Sequence, residues 1–194
     1  RALKEIKPKF FIAENVKGLL SHDNGKTINV IYEEFKRQGY HVLPPKLFNC
    51  LYYKVPQKRE RIIIIGVRED IYNDKIIFED PIEFYQILTL NDAFYKGELF
   101  NCDVPESNNV KYSEKKESIL RLVPMGGNWK DLPIEKQKEY MGESFYKGGG
   151  KTGIARRLSL DKPSLTLLCS PMQKQTERCH PVETRPLTIR ESAR

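Results

Sequence analysis

The sequence has no apolar run long enough to cross a bilayer. Its longest, Ile62 to Val67, is six residues, against the roughly 20 that a spanning helix needs. No signal peptide is apparent. Cysteine is scarce, and Cys50, Cys102, Cys169 and Cys179 form no C-x-x-C pair, which excludes zinc-ribbon and thioredoxin spacing. Cys179 and His180 are adjacent, poor geometry for two ligands of one metal, so no metal site is expected. Reduced thiols of a cytoplasmic protein are the simplest account. No internal repeat is present, which sets solenoids and propellers aside. Acidic residues are the minority charge, 26 against 33 Lys and Arg, for a net charge of +7. That surplus favours a polyanionic partner, although many soluble proteins are as basic and charge alone decides little.

What is present suits one large domain or two small ones: 194 residues, 39% of them hydrophobic. The chain does not begin with Met and opens in what reads as the tail of a helix, as if cut from something longer. Lys9 to Ala13 reads as a short buried strand that ends abruptly at the polar pair Glu14-Asn15. Thr27 is placed to cap a helix in which Ile28, Ile31, Tyr32 and Phe35 fall on one face, with Gly39 as its stop signal. Strand, loop and amphipathic helix make one unit of an α/β sheet. Tyr40 to Leu47 is a second strand-like run. Arg61 to Val67 is β-branched and apolar without alternation, the pattern of a strand covered on both faces.

Beyond Arg68 the texture changes and periodicity weakens. Short helices are predicted over Lys115 to Leu122 and Ile134 to Tyr140, a strand over Ser164 to Ser170, and a helix start over Thr188 to Arg194. The boundaries fall near Arg68 and near Glu183. GGGKT, from Gly148 to Thr152, invites a phosphate-loop reading, but the pattern needs glycine where Phe145 stands, so a flexible turn is expected. The basic residues Lys147, Lys151, Arg156 and Arg157 around it could track phosphates. Trp129 reads as a local core anchor.

Three stretches carry chemistry. A carboxylate at the end of a buried strand, as at Glu14, sits where α/β sheets place ligands. A carboxyl group withdrawn from water keeps its proton more readily and can pass it to a ring nitrogen. Gln57, Arg59 and Arg61 alternate, so in extended chain they project to one side. Guanidiniums placed there want phosphates, carboxylates or a base edge; the alternative is a solvated basic stretch, and spacing does not decide. Arg185, Arg190 and Arg194 are interleaved with Glu183 and Glu191, which also fits an internal salt-bridge network.

Taken together and in this order, these stretches resemble the cytosine-5 DNA methyltransferase family. Glu14-Asn15-Val16 looks like that family's ENV motif. Gln57, Arg59 and Arg61 match its Q-x-R-x-R motif. Arg185 to Arg194 matches R-x-L-x-x-R-E-x-A-R, which closes the recognition region. Asn49 suits the family's asparagine ahead of the second motif, and Thr166-Leu167 looks like a Thr-Leu pair near the end of its recognition domains. The resemblance covers the chain, residues 69 to 160 matching only in being variable.

The resemblance implies a doubly wound, S-adenosylmethionine-dependent methyltransferase sheet, of which this chain holds the later part. Residues 1–68 would be part of the catalytic domain. Residues 69–184 would be a small, irregular, mostly β target-recognition domain, and 185–194 a return segment. The partner would be double-stranded DNA, the setting a bacterial restriction-modification system in the cytoplasm. Such enzymes flip a cytosine out of the duplex. Glu14 would engage ring nitrogen 3, Asn15 would orient the neighbouring loop, Arg61 would contact the 2-keto oxygen, and Arg59 a flanking phosphate. Gln57, Thr166, Leu167, Lys151, Arg156 and Arg157 would contact DNA. Asn49, Arg185, Arg190 and Arg194 would support the recognition domain.

The chain departs from the family in ways that bear on activity. It has no Pro-Cys dipeptide, and the family's nucleophile is the cysteine of that pair. Cys50 and Cys169 do not replace it. The glycine-rich cofactor loop and the final cofactor segment are also lacking. The expectation is that this chain alone is inactive and poorly stable. Its cysteine and cofactor site would come from a missing N-terminal half, on the same polypeptide or as a separate subunit. The alternative is a DNA-recognition subunit with no chemistry of its own.

Overall fold

The structure, a computed structural model, describes residues 1–108, 110–149, 151–168 and 173–194. Cys169, Ser170 and Gly150, on which expectations were placed, lie outside the described residues. The chain forms two compact units, Arg1–Tyr53 with Arg59–Phe84, and Lys54–Lys58 with Tyr85–Arg194.

The first unit begins with helix α1 (Ala2–Ile6), which stops where Lys7 turns left-handed at φ 46°. Strand β1 (Phe10–Val16) follows, then single-turn helices and helix α2 (Lys26–Arg37). Strands β2 (Tyr40–Val42) and β3 (Lys46–Asn49) come next. After the short strand β4 (Gln57–Lys58), which belongs to the second unit, β5 (Glu60–Arg68) returns through the sheet. β5 is central, antiparallel to β1 on one side and to β2 and β3 on the other. β1 and β2 therefore run the same way and are joined by α2, an α/β crossover with β5 inserted between its strands. Proline explains why Tyr40 to Leu47 is not one strand: Pro44-Pro45 separates β2 from β3.

The isoleucine run makes β5, one face of which is covered by α2 and the other only in part. Ile62 and Ile64 are buried under Ile28, Tyr32 and Phe35 of α2, together with Phe11 and Ala13 of β1. On the reverse face Val67 is fully buried and Ile63 and Ile65 are partly buried, while Ile12 of β1 is 71% exposed. Phe11 packs against Phe35 with ring centroids 4.6 Å apart and planes tilted by 52°, and edge-on to Tyr40. Its ring lies over Gly66, where a Cβ would collide with it. Thr27 does not cap α2. The helix starts at Lys26 after Gly25, left-handed at φ 81°, and the Thr27 hydroxyl sits 2.7 Å from His22 Nδ1.

Residues 69–84 close the first unit. Lys46 pairs with Asp80 at 2.7 Å, the Phe84 N–H donates to the Tyr52 carbonyl, and His41 stacks on Tyr72.

The second unit contains α3 (Leu90–Phe94), α4 (Glu114–Leu120), α5 (Ile134–Met141), β6 (Ser164–Leu165) and α6 (Ile189–Ala193). β6 pairs in parallel with β4. The expected mostly β character is not what the described residues show. Their strands here are two residues long, and irregular chain and short helices dominate. The stretch lacks alternation, and Pro105, Pro124, Pro133 and Pro163 each remove a ladder donor. Two apolar clusters hold it together. One gathers Leu120, Val123, Trp129, Leu132 and Met141; the other gathers Leu90, Phe94, Leu158 and Leu187. Trp129 is a core anchor whose indole N–H donates to the Lys151 carbonyl at 3.1 Å. Capping boxes at Thr89–Asp92, Asn128–Asp131 and Thr188–Glu191 start its short helices. Among the described residues no helix is long and apolar enough to cross a membrane.

Candidate functional site

β1 and β5 place a carboxylate between two guanidiniums. Glu14 is opposite Ile63, so Arg61, two residues away on β5, is its diagonal neighbour on the same face. Arg61 Nε lies 2.6 Å from Glu14 Oε1, and Arg59 Nη2 lies 3.5 Å from the same oxygen. Arg61 also donates to the Glu60 carbonyl at 2.8 Å. Strand β1 runs on through Val16 rather than stopping at Glu14, and the Glu14 side chain is 49% exposed. The desolvated strand-end carboxylate expected from sequence is thus an ion-paired, half-exposed one among the described residues. Lys17 and Glu60 close the same end of the sheet at 3.1 Å.

The neighbouring motif residues are fixed by local bonds. Asn15 accepts from the Val16 N–H at 2.8 Å, and Asn49 accepts from the Leu51 N–H at 3.2 Å, tying β3 to the turn after it. Cys50 donates its N–H to the Arg59 carbonyl at 2.9 Å, so the backbone of Arg59 is held from the β3 side. The predicted single extended run from Gln57 to Arg61 is broken at Arg59. Gln57 belongs to the second unit, in register with Ser164, while Arg59 and Arg61 belong to the first.

In the second unit Thr166 donates its hydroxyl to the Lys58 carbonyl at 2.8 Å, and Arg178 donates to the Thr166 carbonyl at 3.2 Å. Leu167 packs against the cluster around Leu90 and Leu187. Arg157, expected to track phosphates, is 4% exposed. Its guanidinium donates to the carbonyls of Leu120, Val123, His180 and Glu183 and to the Thr184 hydroxyl, at 2.7 to 3.1 Å. A fully bonded buried guanidinium has no donor left for DNA, so that assignment is corrected to a structural one. Lys151 is likewise turned inward, its ammonium on the carbonyls of Ser144 and Lys147. Arg156 is only partly buried.

The closing motif is a charge network. Arg185 forks onto Glu191 at 2.8 Å and onto Glu183 at 2.9 and 3.0 Å, which holds its guanidinium above the usual arginine range. Burial pushes the Glu191 carboxyl up, but the bonds from Arg185 and the Thr188 N–H outweigh it, and the net shift is downward. Burial, then the nearby Arg185, lowers His180. Its Nδ1 accepts from the N–H groups of Val182 and Glu183, which leaves the proton on Nε2, 3.7 Å from Glu191. Arg194 donates to the carbonyls of Cys102 and Asp103 and lies over the Phe100 ring. Arg190 is exposed on α6.

A family model for C-5 cytosine-specific DNA methylases matches residues 1–194. The chain belongs to that family. It is 59% identical over 194 residues to Type II methyltransferase M.PspPI of Psychrobacter sp. (strain TA137), covering all of this chain and 46% of that protein. It is equally similar, with the same coverage, to M.Eco47II of Escherichia coli. It is 51% identical to M.Sau96I of Staphylococcus aureus, covering 44% of that protein. The chain thus spans a little under half the length of these relatives. Among solved structures it is similar to an E. coli protein described as a prophage-encoded DNA modification methyltransferase, with a TM-score of 0.51 and 20% identity over 98% of this chain and 59% of that one. That likeness concerns the fold alone.

Within this C-5 methylase chain, motif reading located the Glu14 cluster and the Arg185 network but missed two features of the second unit. Glu177 is fully buried, bonded to the Tyr140 hydroxyl and the Ala155 N–H and ion-paired with Lys116. Arg178, beside Thr166, is buried as well. Both lie in a polar run, KQTER, that carries no periodicity, so no local signal separates them from solvated charges. No group of three or more His, Cys, Asp or Glu able to hold a metal occurs among the described residues.

Proposed function

We propose that this chain is the base-pocket and target-recognition part of a DNA cytosine-5 methyltransferase of a restriction-modification system, acting in the bacterial cytoplasm on a specific sequence of double-stranded DNA. The observation that carries this reading is the Glu14 carboxylate held 2.6 Å from Arg61 and 3.5 Å from Arg59 on adjacent strands. A carboxyl group there supplies a proton or hydrogen bond to ring nitrogen 3 of a flipped cytosine. Arg61 donates to the 2-keto oxygen, and Arg59 is available to a phosphate. Fixed donors and acceptors of this kind read the Watson–Crick edge of an extruded base. Asn15 and Asn49, bonded to their own backbones, keep the loops beside the pocket in place. Gln57, Thr166 and Arg156 take the DNA contacts, with Leu167 packing behind them and Lys151 ordering its loop. Arg185, Arg190 and Arg194 support the recognition unit.

The finer fold reading is a doubly wound methyltransferase sheet of which β1, α2, β2 and β5 form the later part. Residues 1–68 are assigned to the catalytic domain, 69–184 to the recognition domain and 185–194 to the return segment. S-adenosylmethionine would supply the methyl group. The cavity of about 440 Å³ beside Glu14 is walled by Ala13, Leu19, Val30, Ile31 and Phe35, with Glu14 and Glu34 as its charged groups, and it presents no cation to a methionine carboxylate. The cofactor and the nucleophilic cysteine are assigned to a further half of the enzyme.

The test is methyl transfer from labelled S-adenosylmethionine to a mixed-sequence duplex, with this chain and with the full-length protein. Transfer only by the full-length protein supports the reading. Transfer by this chain alone would make one of its own cysteines a nucleophile and overturn the pocket assignment. DNA binding without transfer in either would leave a recognition subunit.

A further inference from the structure

The Cys179 N–H donates to the Arg156 carbonyl at 2.8 Å, and the Leu158 N–H donates to the Cys179 carbonyl at 3.0 Å. These bonds form a parallel bridge that pairs Arg157 with Cys179. Both of those side chains are buried. Successive side chains on extended chain point to opposite sides, so the preceding residues, Arg156 and Arg178, are neighbours on the other face. Like charges placed side by side on paired strands repel.

Nothing in the described residues neutralises them. Arg178 is 8% exposed. It donates to the carbonyls of Glu177 at 2.6 Å and Thr166 at 3.2 Å, and its Nε has no hydrogen-bond partner among the described residues. The adjacent carboxylate, Glu177, is committed elsewhere, to Lys116, Tyr140 and the Ala155 N–H. No ion pair reaches Arg156 or Arg178 among the described residues, and the remaining residues include no Asp or Glu. Arg185 shows the contrast: it is half-buried and carries two carboxylates. A Cβ at Gly153 would fall 2.5 Å from the Gln175 carbonyl and 3.9 Å from Arg178 Nη1, so the glycine lets the chain lie close beside this guanidinium. A buried cation with unfilled donors and a like-charged neighbour is costly unless an anion completes it.

We propose that Arg156 and Arg178 form an anion site beside Thr166 that takes one phosphodiester group of the DNA backbone. This rests on the methyltransferase reading above. A phosphate fits better than a base edge, because two uncompensated guanidiniums call for full negative charge, and an arginine fork matches its oxygens. The site positions the duplex and does not read its sequence.

The experiment is binding of the full-length protein to its duplex with uncharged methylphosphonate substituted at one backbone position at a time. Wild type is compared with Arg156→Gln, a partly exposed site whose change leaves the buried Arg178 in place. Wild type is expected to lose about tenfold in affinity at one backbone position. Arg156→Gln should bind the unmodified duplex more weakly, show little further loss at that position, and have a salt slope shallower by about one. Equal penalties in both proteins at every position would overturn the site. So would a change in which sequence is methylated, which marks base readout. If wild type neither binds duplex nor methylates it, the underlying methyltransferase reading fails instead.

Discussion

Arg185 grips Glu191 through two nitrogens, each 2.8 Å from a carboxylate oxygen, while the same carboxylate accepts the Thr188 N–H that starts α6. His180 faces this pair through Nε2, stacks on Phe94, and has Glu183 and Arg157 as its other charged neighbours. His180 lies below its ordinary value of 6.5 and Glu191 below 4.5. In both cases the unfolded chain takes up a proton before the folded one does. Stability is therefore fully present above pH 6.5, declines as pH falls below it through the His180 window, and declines again below 4.5 as pH falls through that of Glu191. Urea midpoints of the full-length protein should follow this course. His180→Gln should remove the first decline, and a His180→Gln profile parallel to wild type at every pH would refute the assignment.

Arg157 supplies a second test of the recognition unit. Replacing it with Met keeps much of its volume but leaves the Val123 and His180 carbonyls and the Thr184 hydroxyl without that donor, while the Leu120 and Glu183 carbonyls keep the Val123 and Arg185 N–H groups. Buried acceptors left unbonded cost about 1–3 kcal/mol each, and partial relaxation recovers some of that, so a loss of about 2 kcal/mol or more is expected. Guanidinium-chloride unfolding reads it. A loss confined to DNA affinity, with the midpoint unmoved, would restore Arg157 to the DNA-contact set.

How far the sequence could be read depended on whether a local pattern reflected a local cause. The isoleucines of β5 and the stripe of Ile28, Tyr32 and Phe35 on α2 were legible because period and burial coincide there. The motif order singles out Glu14, Arg59 and Arg61, and the antiparallel register explains why residues 14 and 61 meet. The state of Glu14 was not legible, since exposure and ion pairing depend on strands far apart in sequence. Arg156 and Arg157 look alike in sequence, yet one is partly exposed and the other buried. Alternation across the bridge to Cys179 separates them, and a run of charge carries no trace of it. Cover on the second face of β5 is complete at Val67 and partial at Ile63 and Ile65, and an unbroken isoleucine run gives no sign of that difference.

Gly66 isolates the packing of the sheet from its chemistry. Phe11 fills the place a side chain would take, wedged between Phe35 and Tyr40. Gly66→Ala should force Phe11 aside and cost about 1–3 kcal/mol as overpacking. Phe11→Leu should recover part of the loss by vacating ring volume. If Gly66→Ala melts at the wild-type temperature, the ring is not the constraint described.

Glu14 and Arg61 give the sharpest test of the pocket. Glu14→Gln keeps the shape and a hydrogen-bonding group but removes the ionisable proton and the charge paired with Arg61 Nε. If Glu14 serves ring nitrogen 3, kcat of the full-length enzyme should fall roughly a hundredfold to ten-thousandfold, while duplex affinity stays within about threefold. Arg61→Ala should lower kcat too. The double variant should fall by much less than the product of the single losses, because the two groups act on one base edge. Single-turnover methyl transfer with labelled cofactor separates the chemical step from release. Losses that multiply independently, or a Glu14→Gln effect that appears only in duplex affinity, would mean that the 2.6 Å pair is a strand clamp and not the floor of a base pocket.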